Sequence, residues 1–149
     1  MSDDAATGRG AAEPAAGRGP LAVDVVSADR MIWTGEARSI IARTVDGDIG
    51  ILPGHSPVLA VLVPSAVEIV TVDGNREIVA VDGGFISVAA GRVSILSEFA
   101  EMAGEVSLAE AEEDLRVANA QLEQDDDSAA ARQRLQRATA QVKAARKVA

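Results

Sequence analysis

Along this chain the spacing of apolar residues changes once, at Phe99, and that change limits what the chain can become. Before it, short runs alternate apolar and polar side chains with a period of two, as half-buried strands do. After it, apolar residues recur at spacings of three and four, as on one face of a helix. In the first run Leu21, Val23 and Val25 alternate with Ala22, Asp24 and Val26. Further strands are expected at residues 31–37, with Gly35 offering a bulge, and at 39–44, 49–52, 58–63, 66–72, 76–81, 85–89 and 93–96. Turn signals separate them: Val45-Asp46-Gly47-Asp48, Ala90-Gly91 and, clearest of all, Asp73-Gly74-Asn75. Asp, Asn and Gly tolerate the positive φ angles of tight hairpins. About 8–10 short strands at this spacing predict an antiparallel β-sandwich or flattened barrel.

Past Phe99 the sequence Ser107-Leu108-Ala109-Glu110 reads as a capping box at the start of a helix. Leu108, Ala111, Leu115, Ala118 and Leu122 then form one apolar stripe. Asp125-Asp126-Asp127 interrupts as a polar turn, Ser128 can cap a second helix, and Ala131, Leu135, Ala138, Val142 and Ala145 repeat the spacing. The expected result is an antiparallel helical hairpin. Half of its seam is alanine, so it must dock on something larger to be stable. Charge is segregated along it. Residues 98–127 hold many carboxylates and one base, Arg116; from Ser128 onward there are Arg132, Arg134, Arg137, Lys143, Arg146 and Lys147 with no acid. The plain reading is mutual support of an acidic and a basic helix at the surface. The sharper one is a basic helix that can exchange this partner for another acidic surface, and two dockings of similar energy make a switch. The organisation expected is a disordered extension over residues 1–20, a sandwich over 21–99 and the hairpin over 100–149.

Composition removes several functions. Trp33, Phe85 and Phe99 are the only aromatic residues, so the core rests on Val, Ile, Leu and Ala. A net charge of −9 argues against a general nucleic-acid binder, which needs clustered cations. Without cysteine there is no disulfide, zinc-thiolate site or thiol nucleophile. Residues 1–20 lack the apolar run of a secretory signal. The uncharged stretch 49–67 carries Pro53, Pro57 and Pro64 with Gly50 and Gly54, which would break a membrane helix repeatedly. His55 is the single imidazole, no G-x-S-x-G elbow or phosphate-binding P-loop is present, and the aspartate triplet lacks the spacing of a calcium loop. No enzymatic centre, cofactor or metal site is expected.

Three motifs in order carry a resemblance: Val23-Asp24-Val25-Val26-Ser27, then Gly47 to Pro57 reading GDIGILPGHSP, then Val81-Asp82-Gly83-Gly84-Phe85. Followed by a two-helix tail, they resemble the epsilon subunits of F-type ATP synthases over residues 21–149. The Ile32-Trp33-Thr34-Gly35 stretch, and arginine outnumbering lysine twelve to two, look like actinobacterial members. The resemblance implies a non-catalytic rotor subunit in the central stalk, peripheral on the cytoplasmic face of the membrane. It also implies that the sandwich grips the gamma subunit and rests on the c-ring. On that reading Asp48 would lie near the c-ring and His55 toward gamma. The plainer readings are a turn residue beside Gly47 and a histidine packed in a loop. The resemblance further implies that the second helix, with Arg132, Arg134, Arg137, Lys143 and Arg146, can meet the catalytic beta subunits and restrain hydrolysis. Where some members bind ATP through [IL]-D-x-x-R-A, this chain has Val106-Ser107-Leu108-Ala109-Glu110-Ala111, without the aspartate or the arginine. No tight ATP binding by that route is expected. The alternative is a free-standing β-sandwich ligand-binding module, against which the shortage of aromatic residues counts.

Overall fold

The computed structural model describes residues 19–124 and 128–148. The expected extension, apart from its last two residues, and the Asp125–Asp127 turn lie outside that range. Among the described residues there are nine strands: β1 Leu21–Val26, β2 Met31–Thr44, β3 Gly47–Ile51, β4 Val58–Leu62, β5 Ser65–Thr71, β6 Arg76–Val81, β7 Gly84–Ala89, β8 Arg92–Leu96 and β9 Ala100–Met102. The 3-10 turn Ala103–Glu105 leads to helices α1 Leu108–Glu123 and α2 Ala129–Val148.

The strands form one hydrogen-bonded network in the order β1-β8-β7-β4-β2-β5-β6-β9, with β3 added to β2 and a further β1–β2 pairing. Folded over, this makes two layers whose inner faces supply the core. Leu21, Val23, Val25, Leu62, Ile86, Val88, Val93 and Ile95 come from β1, β4, β7 and β8. They meet Ile40, Ala42, Ile51, Val67, Ile69, Val79 and Val81 from β2, β3, β5 and β6. All of these are aliphatic, as the composition requires. All strand pairs are antiparallel except β1–β8, which is parallel.

Two expected strands, 31–37 and 39–44, are halves of β2. The buried side chain shifts from odd to even positions between Ala37 and Ile40, where the register with β5 slips by one residue at Arg38. A bulge absorbs that residue and the strand continues. Gly35 is not the bulge: it pairs in register with Val23. Its missing side chain leaves room for the Trp33 indole, whose Cη2 would lie 2.8 Å from an added Cβ.

At the β7–β8 turn Ala90 has φ of 52° and Gly91 of 79°, the double positive φ of a type I′ hairpin. Alanine pays steric strain there that asparagine largely escapes. Ala90→Asn is therefore expected to stabilise the fold by about 0.5–1 kcal/mol. A higher urea midpoint at unchanged slope would show this; an equal or lower midpoint would contradict the turn assignment.

The helices start where the caps predict. Ser107 Oγ accepts from the Glu110 amide at 3.3 Å, and Ser128 Oγ from the Ala131 amide at 3.1 Å. The seam buries Ala111 and Ala118 against Ala131, Ala138, Val142 and Ala145. α2 has a second buried stripe, Ala140 and Ala144, which packs with Ala103 on Ile78 and Ala80 of β6. Residues 78–81 of β6 are therefore buried on both faces. The hairpin lies on the sandwich through α2, while α1 packs on α2.

Candidate functional site

The outward positions of one layer line up an unusual set of side chains. Register places Val61 opposite Phe85, Phe85 opposite Leu96, Leu96 opposite Val26, and Val26 opposite Met31. These residues cross β4, β7, β8, β1 and β2 in one file, and Leu59 adds to it on β4. Exposure is 43% for Val61, 48% for Phe85, 49% for Met31, 50% for Leu96 and 71% for Leu59. Single exposed apolar residues are ordinary, but a contiguous file of them marks a docking surface. Between Phe85, Leu96 and the Ser27–Ala28 bend lies a shallow cleft of about 320 Å³.

The loop holding His55 joins β3 to β4 and leads directly into Leu59 and Val61. It is closed by the His55 amide donating to the Leu52 carbonyl at 3.0 Å. Nδ1 of His55 lies 2.6 Å from the Ser56 carbonyl, which only accepts, so Nδ1 carries the proton. Leu52 is 61% exposed at the start of this loop. Asp48 sits at the other end of β3, opposite Arg43 in the ladder. The Arg43 guanidinium donates to both its oxygens, from Nε at 2.9 Å and Nη2 at 3.3 Å. Asp48 and His55 therefore belong to separate surfaces.

The basic residues of α2 are turned to several partners, and the acidic helix takes only some of them. Arg146 pairs with Glu112 of α1 at 3.0 Å, and Arg134 donates to Gln121 at 2.7 Å. Arg132 stands in the exposed first turn, its amide donating to the Ser128 carbonyl. The others face the sandwich. Arg137 lies 5.2 Å from the centre of the Phe99 ring, within cation–π range, with Nε 3.7 Å from Asp82 Oδ2. Lys147 Nζ lies 2.7 Å from Glu68, Gln141 donates to Glu101 at 3.0 Å, and Lys143 is 3.5 Å from the Pro64 carbonyl.

Sequence reasoning missed Asp82 and Glu68 as anchors for the helices. Asp82 is buried at the Gly83-Gly84 turn, and its Oδ1 accepts from Ser97 Oγ at 2.9 Å and the Phe99 amide at 3.2 Å. Its place in the V-D-G-G-F motif was the available signal. Glu68 accepts from Lys147 and from Arg76 at 3.0 Å. The Lys147 ammonium, more than Arg76, holds its carboxyl below the ordinary 4.5 against the opposing effect of burial. A lowered carboxylate stabilises the fold fully above its unfolded value and loses that contribution as pH falls through the folded value. Acidification below about 4.5 should therefore loosen the end of α2. Faster amide exchange at residues 143–148, absent at neutral pH and already present at neutral pH in Glu68→Gln, would show this. Equal exchange in both chains at all pH values would refute it.

Among the described residues no group of three His, Asp or Glu side chains is arranged to hold a metal. No helix among them is long and apolar enough to cross a membrane.

Comparison with known proteins adds to this geometry. The family described as ATP synthase, Delta/Epsilon chain, beta-sandwich domain matches residues 20–103. An ATP synthase epsilon chain of Cutibacterium acnes is 52% identical over 96 residues, 64% of this chain and 66% of that one. That of Streptomyces avermitilis is 48% identical over 101 residues, 68% of this chain and 82% of its own length. The Nocardia farcinica epsilon chain is 45% identical over 130 residues, 87% and 92% of the two chains. Among solved structures, the fold is like a chain of the Euglena gracilis mitochondrial ATP synthase OSCP/F1/c-ring assembly. The TM-score is 0.69 at 22% identity, covering 87% of this chain and 81% of that one. A chain of the Tetrahymena thermophila mitochondrial ATP synthase central stalk/c-ring gives a TM-score of 0.52 at 17% identity, over 86% and 95%.

Proposed function

The chain belongs to the ATP synthase epsilon-chain family, and from that premise we propose that it is a non-catalytic rotor subunit in the central stalk of an F-type ATP synthase. It works there as a coupling piece, peripheral at the cytoplasmic face of the membrane and held through its partners. The apolar file on β4, β7, β8, β1 and β2, with the His55 loop, grips the gamma subunit. The edge bearing Asp48 faces the c-ring. The single observation that carries this reading is the file itself: Val61, Phe85, Leu96 and Met31, all exposed and aligned through Val26 by cross-strand register, with Leu59 beside them on β4.

The hairpin adds restraint. Its contact with the sandwich is built from alanines around Ile78 and from ion pairs of Arg137 and Lys147. Small side chains bury little area, at roughly 0.8 kcal/mol per methylene-sized group, so release is inexpensive. Once released, the bases of α2 can meet acidic surfaces of the catalytic beta subunits and slow ATP hydrolysis. On this reading ATP does not bind tightly at the start of α1. Ser107 there caps its own helix, and Glu110 brings a charge that would repel phosphate.

The test is co-purification with the gamma subunit, followed by assembly of the complex with the full chain or with residues 107–149 removed. Co-purification with coupled synthesis is expected for both forms, and faster ATP hydrolysis for the truncated one. A chain that fails to bind gamma would end the rotor reading. Equal hydrolysis in the two complexes would end the restraint.

A further inference from the structure

A second cleft, of about 460 Å³, opens between the last turns of α2 and the sheet beside it. Its volume lies in the range of small-molecule sites. Both lysines of the chain, Lys143 and Lys147, line it, together with Arg146 and, from β2, Arg43. Positions 143, 146 and 147 are three and four apart, so they share one face of α2. On a chain of net charge −9 this is a local reversal of sign. A concave cationic site on an acidic surface concentrates field and draws anions.

The local acids do not neutralise it. Asp48 is held by Arg43 and Glu112 by Arg146, while Glu68 is shared by Lys147 and Arg76. Four cations, Arg43, Lys143, Arg146 and Lys147, thus line the cleft against two carboxylates, Asp48 and Glu68. Lys143 is the cation left over: among the described residues no carboxylate pairs with it, and its ammonium meets only the Pro64 carbonyl at 3.5 Å. Arg43 spends Nε and Nη2 on Asp48, which leaves Nη1 able to donate. The carboxyl end of a helix opposes an anion through its partial negative charge. Here Arg76 donates to the Lys147 carbonyl at 3.4 Å and blunts that end. Ile41, 49% exposed, gives the cleft an apolar wall.

We propose that this cleft is an anion site for the phosphate group of a small phosphorylated molecule, held between Arg43 on the sheet and Lys143 and Arg146 on α2. A tetrahedral oxyanion offers the several acceptors that these three separate donors require. The site is distinct from the docking file and from the start of α1. It is a property of the chain by itself, whether or not the rotor reading holds.

Sodium pyrophosphate titrated into the full chain at low ionic strength, against sodium chloride of matched strength, tests it. One saturable site is expected, with amide shifts confined to residues 41–43, 65–68 and 143–147. Lys143→Gln and Arg43→Gln, both at exposed positions, should each weaken binding at least about fivefold. Arg92→Gln, at a base paired with Asp24 on the other layer, should leave it unchanged. Absence of saturation by about 10 mM pyrophosphate, shifts centred on residues 106–111, or an equal loss in Arg92→Gln would each overturn the assignment.

Discussion

Gly84→Ala is expected to cost more than about 4 kcal/mol and to leave the chain largely unfolded. Gly84 has φ of 98°, outside the region an L-residue enters without strain. The larger cost is spatial. A Cβ there would run into the Leu96 carbonyl oxygen and come within 2.9 Å of Ser97 Cα. Both obstacles are backbone, so no rotamer change can relieve them, and the β7–β8 ladder would have to part. Its neighbour supplies the control. Gly83 has φ of 134° but meets only the Leu62 carbonyl, at 3.6 Å, so Gly83→Ala pays the conformational strain alone, about 1–3 kcal/mol. Urea unfolding of the two variants should separate them widely. Similar midpoints would mean that β8 does not approach Gly84 as closely as described.

The second large effect is on assembly. Val61→Glu or Phe85→Glu should weaken binding to the gamma subunit at least about a hundredfold, because a charge at the centre of an apolar interface is buried without a partner. The isolated chain should hardly notice, since both side chains are already about half exposed and surface substitutions usually fall within about 0.5 kcal/mol. That contrast gives the test its force: melting unchanged, co-purification lost. Ser87→Glu, on the same face opposite Leu59, should weaken binding as well if the file is the centre of contact. Retained affinity in all three variants would move the gamma interface elsewhere on the chain.

Much of this architecture could be read from residue order. Strands β5 and β6 were legible because Asp73-Gly74-Asn75 punctuates two clean alternations. The helices were legible because Ser107 and Ser128 stand where caps belong. β2 was misread as two strands because a bulge at Arg38 reverses the phase of burial, and periodicity alone cannot tell a slip from a break. β9 has three residues, too few for any period to register. The docking file was invisible for another reason. Met31, Val61, Phe85 and Leu96 occupy outward positions of four different strands, and each alone looks like an ordinary exposed residue. Pairing register aligns them, and register is a property of the assembled sheet. The destinations of the α2 cations were likewise unreadable. Helical spacing shows which bases share a face, but not that Arg137 would find Phe99 and Asp82 while Lys147 found Glu68.

β2 belongs to both layers: its first half pairs with β1, its second with β3 and β5. A body assembled from two separate sheets could yield to a sideways load by slipping one plate over the other. Here the plates share a continuous beam, so such slippage would require breaking the polypeptide's own hydrogen-bonded spine. Torque applied at one surface therefore reaches the opposite one with little compliance lost on the way.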